Sequence, residues 1–217
     1  MSNIFSSSIG KKLIMSISGL FLVVFLLLHV SINLTALVSR EAYEVACHFM
    51  DTNILVQIMV PVLALGFAIH ILYSIIITMR NMKARPVNYS VSNGAKAEWA
   101  SKNMFILGAI VVGFLCIHLT HFWAKMQLRH FLGENGENPY DLLVTLFSQW
   151  YYCLIYIVWI IAVYFHISHG FWSAFQTVGI NNSKWIPRLK CVAKIYAIIV
   201  TLGFLSIPVY FLLGLGS

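Results

Sequence analysis

Six histidines stand inside strongly apolar stretches of this chain: His29, His70, His118, His121, His166 and His169. An imidazole titrates near neutral pH and is the commonest protein metal ligand, so the chemistry such residues offer is ligation or proton transfer. In an apolar setting an ionisable side chain is costly and is usually retained for function. A single one also serves as polar glue between helices. Six, spread over four successive apolar segments, exceed that need. His48 and His130 fall in more polar stretches, and His130 is expected to be solvated.

The elements that must position these residues are set by composition. Of 217 residues, 60% are hydrophobic and only 10% charged, and the mean hydropathy is +0.84; lipid is the solvent such a chain requires. The formal net charge of +7 does not signal nucleic acid, because the basic residues are confined to short segments between long apolar runs. A spanning helix needs roughly 20 mainly apolar residues. Five segments qualify, at about 13–38, 54–79, 103–124, 149–175 and 195–215. The expected fold is therefore all-α: one membrane domain over residues 1–217, with five transmembrane helices in a bundle. The first apolar run is too long for a signal peptide and is followed by four more, so it reads as uncleaved. Pro61 and Pro208 fall inside spans and are expected to mark kinks.

Lys and Arg give the orientation. Lys11 and Lys12, then Arg80, Lys83, Arg85, Lys96 and Lys102, then Lys184, Arg188, Lys190 and Lys194 all fall on one side, eleven of the fourteen basic residues. By the positive-inside rule the amino terminus is expected in the cytoplasm and the carboxyl terminus outside. Trp150, Tyr151 and Tyr152 at one end of the fourth span, and Phe171, Trp172 and Phe175 at the other, suit its two interfaces.

Depth then sorts the histidines. At 1.5 Å per residue, His29 and His118 lie roughly 13 and 10 Å below the outer ends of two ascending spans. His70 and His166 lie roughly 14 to 17 Å above the inner ends of two descending ones. Two pairs result, one in each half of the membrane, each drawn from two helices. Two haems, each held between two imidazoles, require that arrangement. With both axial positions filled, such a group transfers electrons rather than binding oxygen. His121 and His169 lie three residues beyond His118 and His166, nearer the surfaces; they suit haem-edge, propionate or quinone contacts. Periodicity alone leaves them as alternative ligands.

Small or polar residues recur at helical spacing beside the ligands: Ser18 and Asn33 on the His29 face, Gly66 and Ser74 around His70, Ala162 and Gly170 around His166. They would leave room for a flat macrocycle, although close helix packing enriches the same types. Cys47, Cys116, Cys153 and Cys191 form no CxxC or CxxCH and read as small buried apolar residues. Two other chemistries use intramembrane histidines. HLTH at 118–121 and HISH at 166–169 have the look of histidine-box di-iron sites, but in this topology the boxes fall in opposite halves of the membrane. A proton-coupled transporter would use intramembrane histidines without needing them matched in depth.

Several segments resemble the cytochrome b membrane-anchor subunit of succinate dehydrogenase and fumarate reductase, in its five-helix, two-haem, b558-type form made as one polypeptide. They are FLLLHVSINL around His29, CHFMD at 47–51, the His70 span, FLCIHL around His118 and FHISHGFWSAFQTVGI at 165–180. The resemblance implies two haems b, with His29 paired to His118 and His70 to His166 as axial iron ligands. Position 169 varies in that family, which favours His166 over His169. It also implies menaquinone as the quinone, a flavoprotein and an iron–sulfur subunit docked on the cytoplasmic side, and a multi-pass location in the bacterial cytoplasmic membrane. A dimer of such complexes is compatible with it.

The chain itself has no flavin or nucleotide fingerprint and no iron–sulfur motif, so the dicarboxylate step is expected on a partner. The basic stretches 80–102 and 176–194 are the expected docking surface. His48 and Asp51 are candidate proton groups for a quinone; against this, Asp51 is a suitable N-cap for the next helix. A dihaem anchor of a hydrogenase or formate dehydrogenase is the alternative assembly.

Overall fold

The computed structural model describes residues 7–83 and 99–216. Arg85, Lys96 and most of the 80–102 stretch lie outside the described residues. Among those described there are helices and no strand. They are α1 (Ser8–Leu34, continued by a 3-10 turn at Thr35–Leu37), α2 (Arg40–Thr52), α3 (Ile54–Lys83), α4 (Trp99–Lys102) and α5 (Met104–His118, continued by a π-helical turn at Leu119–Trp123). After these come α6 (Gln127–Phe131), α7 (Pro139–Phe147), α8 (Trp150–Val178) and α9 (Trp185–Leu212). Five are long and apolar enough to cross a membrane: α1, α3, α5 with its π turn, α8 and α9.

Local chemistry sets the ends. The side chains of Ser7, Ser39 and Asn138 accept backbone N–H groups at the starts of α1, α2 and α7, and Pro139 opens α7 where its missing N–H costs nothing. Asn53, not Asp51, caps α3: its Oδ1 accepts from the N–H groups of Leu55 and Val56 at 3.0 and 3.3 Å. Asp51 belongs instead to the last turn of α2. Gly179, at φ 106°, ends α8 in the left-handed conformation that glycine adopts without strain. α9 then starts at Trp185, ten residues before the expected span, so Arg188, Lys190 and Lys194 stand on a helix rather than in a loop.

The bundle core lies between α8 and α9, with α1 against both. Ala193, Ala197 and Val200 on α9 are fully buried, and small side chains there let backbones approach closely. The phenol of Tyr196 donates to the Val23 carbonyl oxygen and ties α9 to α1. α3 packs along α1 and leaves Gly66 as its one buried residue, while α5 packs along α8. Their remaining faces are Leu, Ile, Val, Met and Phe exposed outward, as expected of helices whose surroundings are acyl chains.

At the end away from the amino terminus, α2 and α7 form a polar cap. Arg40 bridges Glu44 at 2.8 Å and Asp141 at 2.9 Å, and Asn138 donates to Glu44 at 2.7 Å. Cys47 and Cys153 are buried, but Cys116 and Cys191 are exposed, so the expectation of four buried thiols fails for those two. Both sit on outward-facing helix surfaces, where a small apolar residue meets lipid as readily as protein.

Candidate functional site: two histidine pairs between facing helices

The structure brings His29 of α1 to His118 of α5, ring centroids 5.8 Å apart, and His70 of α3 to His166 of α8, 6.3 Å apart. The ring planes cross at 85° and 82°. Neither pair joins helices that pack closely elsewhere, for α1 lies against α3, α8 and α9, and α5 against α8. All four histidines are half-buried as residues.

The two pairs occupy different levels. Gly19 of α1 lies beside His70 and Gly108 of α5 beside His166, whereas His118 lies beside Tyr156 and Trp159 of α8. Along α1, α5 and α8 the two levels are therefore ten residues apart: 19 to 29, 108 to 118, 156 to 166. At 1.5 Å per residue that is roughly 15 Å. The HLTH and HISH histidines consequently stand about three helical turns apart on this bundle and do not converge. Among the described residues no three His, Cys, Asp or Glu side chains form a metal-binding group.

Two ligands per site suffice when a macrocycle supplies the others. A metal–imidazole bond of about 2 Å on each side, plus about 1 Å from nitrogen to ring centre, separates two axial rings by roughly 6 Å. Both pairs match that spacing. The Nδ1 atoms of His118 and His166 are buried with no hydrogen-bond partner. His70 Nδ1 faces the Met15 carbonyl oxygen at 3.3 Å, and His29 Nδ1 has Asn33 Nδ2 at 3.5 Å. Among the described residues, the hydrogen bonds that the side chains of these four histidines make run through Nδ1. These residues fit a bis-imidazole iron group at each level.

Aromatic rings line the His29–His118 level. Phe25 stacks on His29 at 5.3 Å and Phe204 stands 5.6 Å away. Phe114 stacks on Trp159, and Phe122 and Trp159 flank His118 at 5.3 and 5.4 Å. The small residues expected to leave room act differently. A Cβ on Gly66 would stand 2.7 Å from a Phe21 ring atom, so Gly66 is a contact between α1 and α3, and a Cβ on Gly170 would meet nothing. The glycines that face the paired histidines are Gly19 and Gly108, on the opposite helices. Their signal was invisible from spacing around each histidine, because it lies across the bundle.

His121 turns away from the pairs. The π turn that carries it inserts an extra residue into the helix, a feature that recurs at functional sites. Its Nδ1 lies 3.1 Å from the Tyr156 hydroxyl, and Tyr152 packs edge-on at 5.1 Å. Tyr156 is buried and was missed in the sequence, where it reads as one aromatic among many. His169 packs edge-on to Trp172 at 4.9 Å, with the Lys190 ammonium 4.3 Å from the same ring. Both histidines thus flank a pair without joining it.

His48 is exposed on α2 and Asp51 half-buried one turn on. Burial raises the Asp51 carboxyl above its ordinary range, with His130 and then His48 pulling it back. His130 is exposed, as expected, yet stands near enough to Asp51 to act on it.

Among curated proteins, the chain is similar to the succinate dehydrogenase cytochrome b558 subunit of Bacillus subtilis (strain 168). The two are 24% identical over 191 residues, 87% of this chain and 88% of the relative. No family model and no solved structure matches.

Proposed function

We propose that this chain is the dihaem cytochrome b subunit of a succinate:quinone oxidoreductase. In that role it anchors the flavoprotein and iron–sulfur subunits and carries electrons between the iron–sulfur protein and menaquinone. The observation that carries the reading is the pair of facing-histidine sites, 5.8 and 6.3 Å across, stacked in one membrane bundle. The similarity to the Bacillus subtilis subunit, which spans nearly the whole of both chains, supports the choice of complex.

Haem b bound by these histidines would supply reversible one-electron iron chemistry. The chain's own residues do the rest. His29 and His118 hold one group, His70 and His166 the other, and each pair bridges two helices so that the bundle fixes the ligand geometry. Phe25, Phe114, Phe122, Trp159 and Phe204 exclude water from one level, which keeps the local dielectric low and the redox centre insulated. The separation of roughly 15 Å between levels, from the helical rise, makes the two sites successive stations across the hydrocarbon layer.

A quinone takes up two protons with its two electrons. On the side away from the amino terminus, His121 and the Tyr156 hydroxyl form a hydrogen-bonded pair that can pass a proton, one turn from His118. Asp51, whose carboxyl holds its proton above the usual range, and His48 would connect that region with water. The amino-terminal side carries Lys11, Lys12, Arg80, Lys102, Arg188 and Lys194. We assign it to the cytoplasm and to the docking of the soluble subunits, where cations suit both the positive-inside rule and haem propionates.

The test is reduction by substrate. In membranes holding the assembled complex, succinate should reduce the b-type absorbance, and removal of the soluble subunits should abolish that reduction while dithionite still works. Haem that succinate leaves oxidised in an intact, flavin-containing complex would contradict the reading.

A further inference from the structure

The His70 ring is seated on α1. Its Nδ1 lies 3.3 Å from the Met15 carbonyl oxygen, and the Ser18 hydroxyl donates to the same oxygen at 3.0 Å. Gly19 is what admits the ring: a Cβ there would stand 3.1 Å from His70 Cε1 and 3.3 Å from Nδ1. That is tighter than most side-chain contacts, so an added methyl group shifts the imidazole by a few tenths of an ångström and lengthens its contact with the carbonyl. Across the pair, Gly108 faces His166 with ordinary spacing, 3.6 and 3.9 Å to the corresponding atoms. His166 Nδ1 has no hydrogen-bond partner among the described residues. Within this pair, then, only His70 has its outer nitrogen held.

An Nδ1–H bonded to a carbonyl fixes the imidazole tautomer, leaves the Nε2 lone pair free to ligate, and raises the ligand's basicity. We propose that Gly19 and the Met15 carbonyl are positioning groups for His70, and that through this hydrogen bond they set the redox potential of the group held by His70 and His166. The proposal rests on the dihaem reading above. A stronger bond to Nδ1–H makes the imidazole a better donor, favours oxidised iron and lowers the potential; a weaker bond raises it. Ser18 competes for the same carbonyl oxygen. Removing its hydroxyl should strengthen the His70 bond, while a methyl group at position 19 should weaken it.

The experiment is an equilibrium redox titration of the purified complex, followed in the visible haem bands, for wild type, Ser18→Ala and Gly19→Ala, with haem counted in each. The expected result is two haems per chain throughout and a shift in one haem only. At fixed ambient potential its reduced-to-oxidised ratio should fall about threefold in Ser18→Ala and rise about threefold in Gly19→Ala, or about 28 mV each way at 59 mV per tenfold for one electron. If Gly19→Ala does not fold, Ser18→Ala decides alone, since it adds no atoms. Unmoved potentials in the folded variants, or equal shifts in both haems, would overturn the proposal. A wild-type protein without haem would instead overturn the dihaem reading on which it stands.

Discussion

His29 and His118 face one another with ring planes at 85° and centroids 5.8 Å apart, yet they come from α1 and α5, helices that each pack mainly on others. His70 and His166 repeat the relationship at 82° across α3 and α8. Each pair therefore joins two helices that otherwise pack mainly on other neighbours.

The crossing angles predict a spectrum. Two axial imidazole planes that share the iron–nitrogen axis and are nearly perpendicular leave the iron dxz and dyz orbitals close in energy. Ferric haem in such a site gives a low-spin electron paramagnetic resonance signal of large anisotropy. Both haems of the oxidised protein should show it at low temperature; a pair of ordinary rhombic signals would place the planes parallel.

Tyr156→Phe should separate proton handling from haem binding. It removes the hydroxyl beside His121 Nδ1 and leaves the ring packing of Tyr156 near His118 and Phe147. Haem content and potentials should stay as in wild type, while the quinone-dependent rate falls about a hundredfold or more, the lower end of what a lost proton-transfer group costs. An unchanged rate would remove this pair from the quinone chemistry.

Asp51 should leave a pH signature on stability. Its carboxyl is raised chiefly by burial, so the folded state holds that proton more tightly than the unfolded one. Such a group contributes stability below its unfolded pKa of about 3.9, and that contribution is lost as pH rises through the higher folded value. Asp51→Asn should accordingly melt higher than wild type at neutral pH, with the gain shrinking toward pH 4. Melting in detergent across that range checks the slope; a gain that grows on acidification would reverse the sign.

Gly203 tests the packing of α1 on α9. A Cβ there would stand 2.7 Å from Val30 Cγ2, and Val30 is itself buried. Gly203→Ala should cost about 1–3 kcal/mol, the usual penalty of overpacking, read as a lower melting temperature with haem content retained. A neutral result would mean that the two helices yield freely at this level.

The spans and the histidine levels were legible in the sequence because both rest on one-dimensional quantities, apolar run length and rise per residue. What faced each histidine was not. Gly66 and Gly170 flank His70 and His166 along their own helices, but a Cβ on Gly66 would meet Phe21 and one on Gly170 would meet nothing, while Gly19 and Gly108 sit beside the imidazoles from across the bundle. Which residue lies opposite depends on helix rotation and crossing, and neither is written in the spacing of one segment. The same holds for Tyr156, whose partner His121 is displaced by a π turn that no periodicity announces. Asp51 lost the capping role to Asn53, two residues on, because α2 continues through it before the chain turns.

The measurement closest to the central claim is haem stoichiometry by pyridine haemochrome in purified, folded protein. It should be made for wild type, for His29→Ala, His118→Ala, His70→Ala and His166→Ala, and for double variants within and across pairs. Two haems b per chain are predicted in wild type and one in every single variant. The His29/His118 double should keep one and the His29/His70 double none, because partners in a pair hold a single group. Folded wild-type protein with no haem would contradict the account, as would His121→Ala or His169→Ala emptying a site that His118→Ala or His166→Ala leaves full.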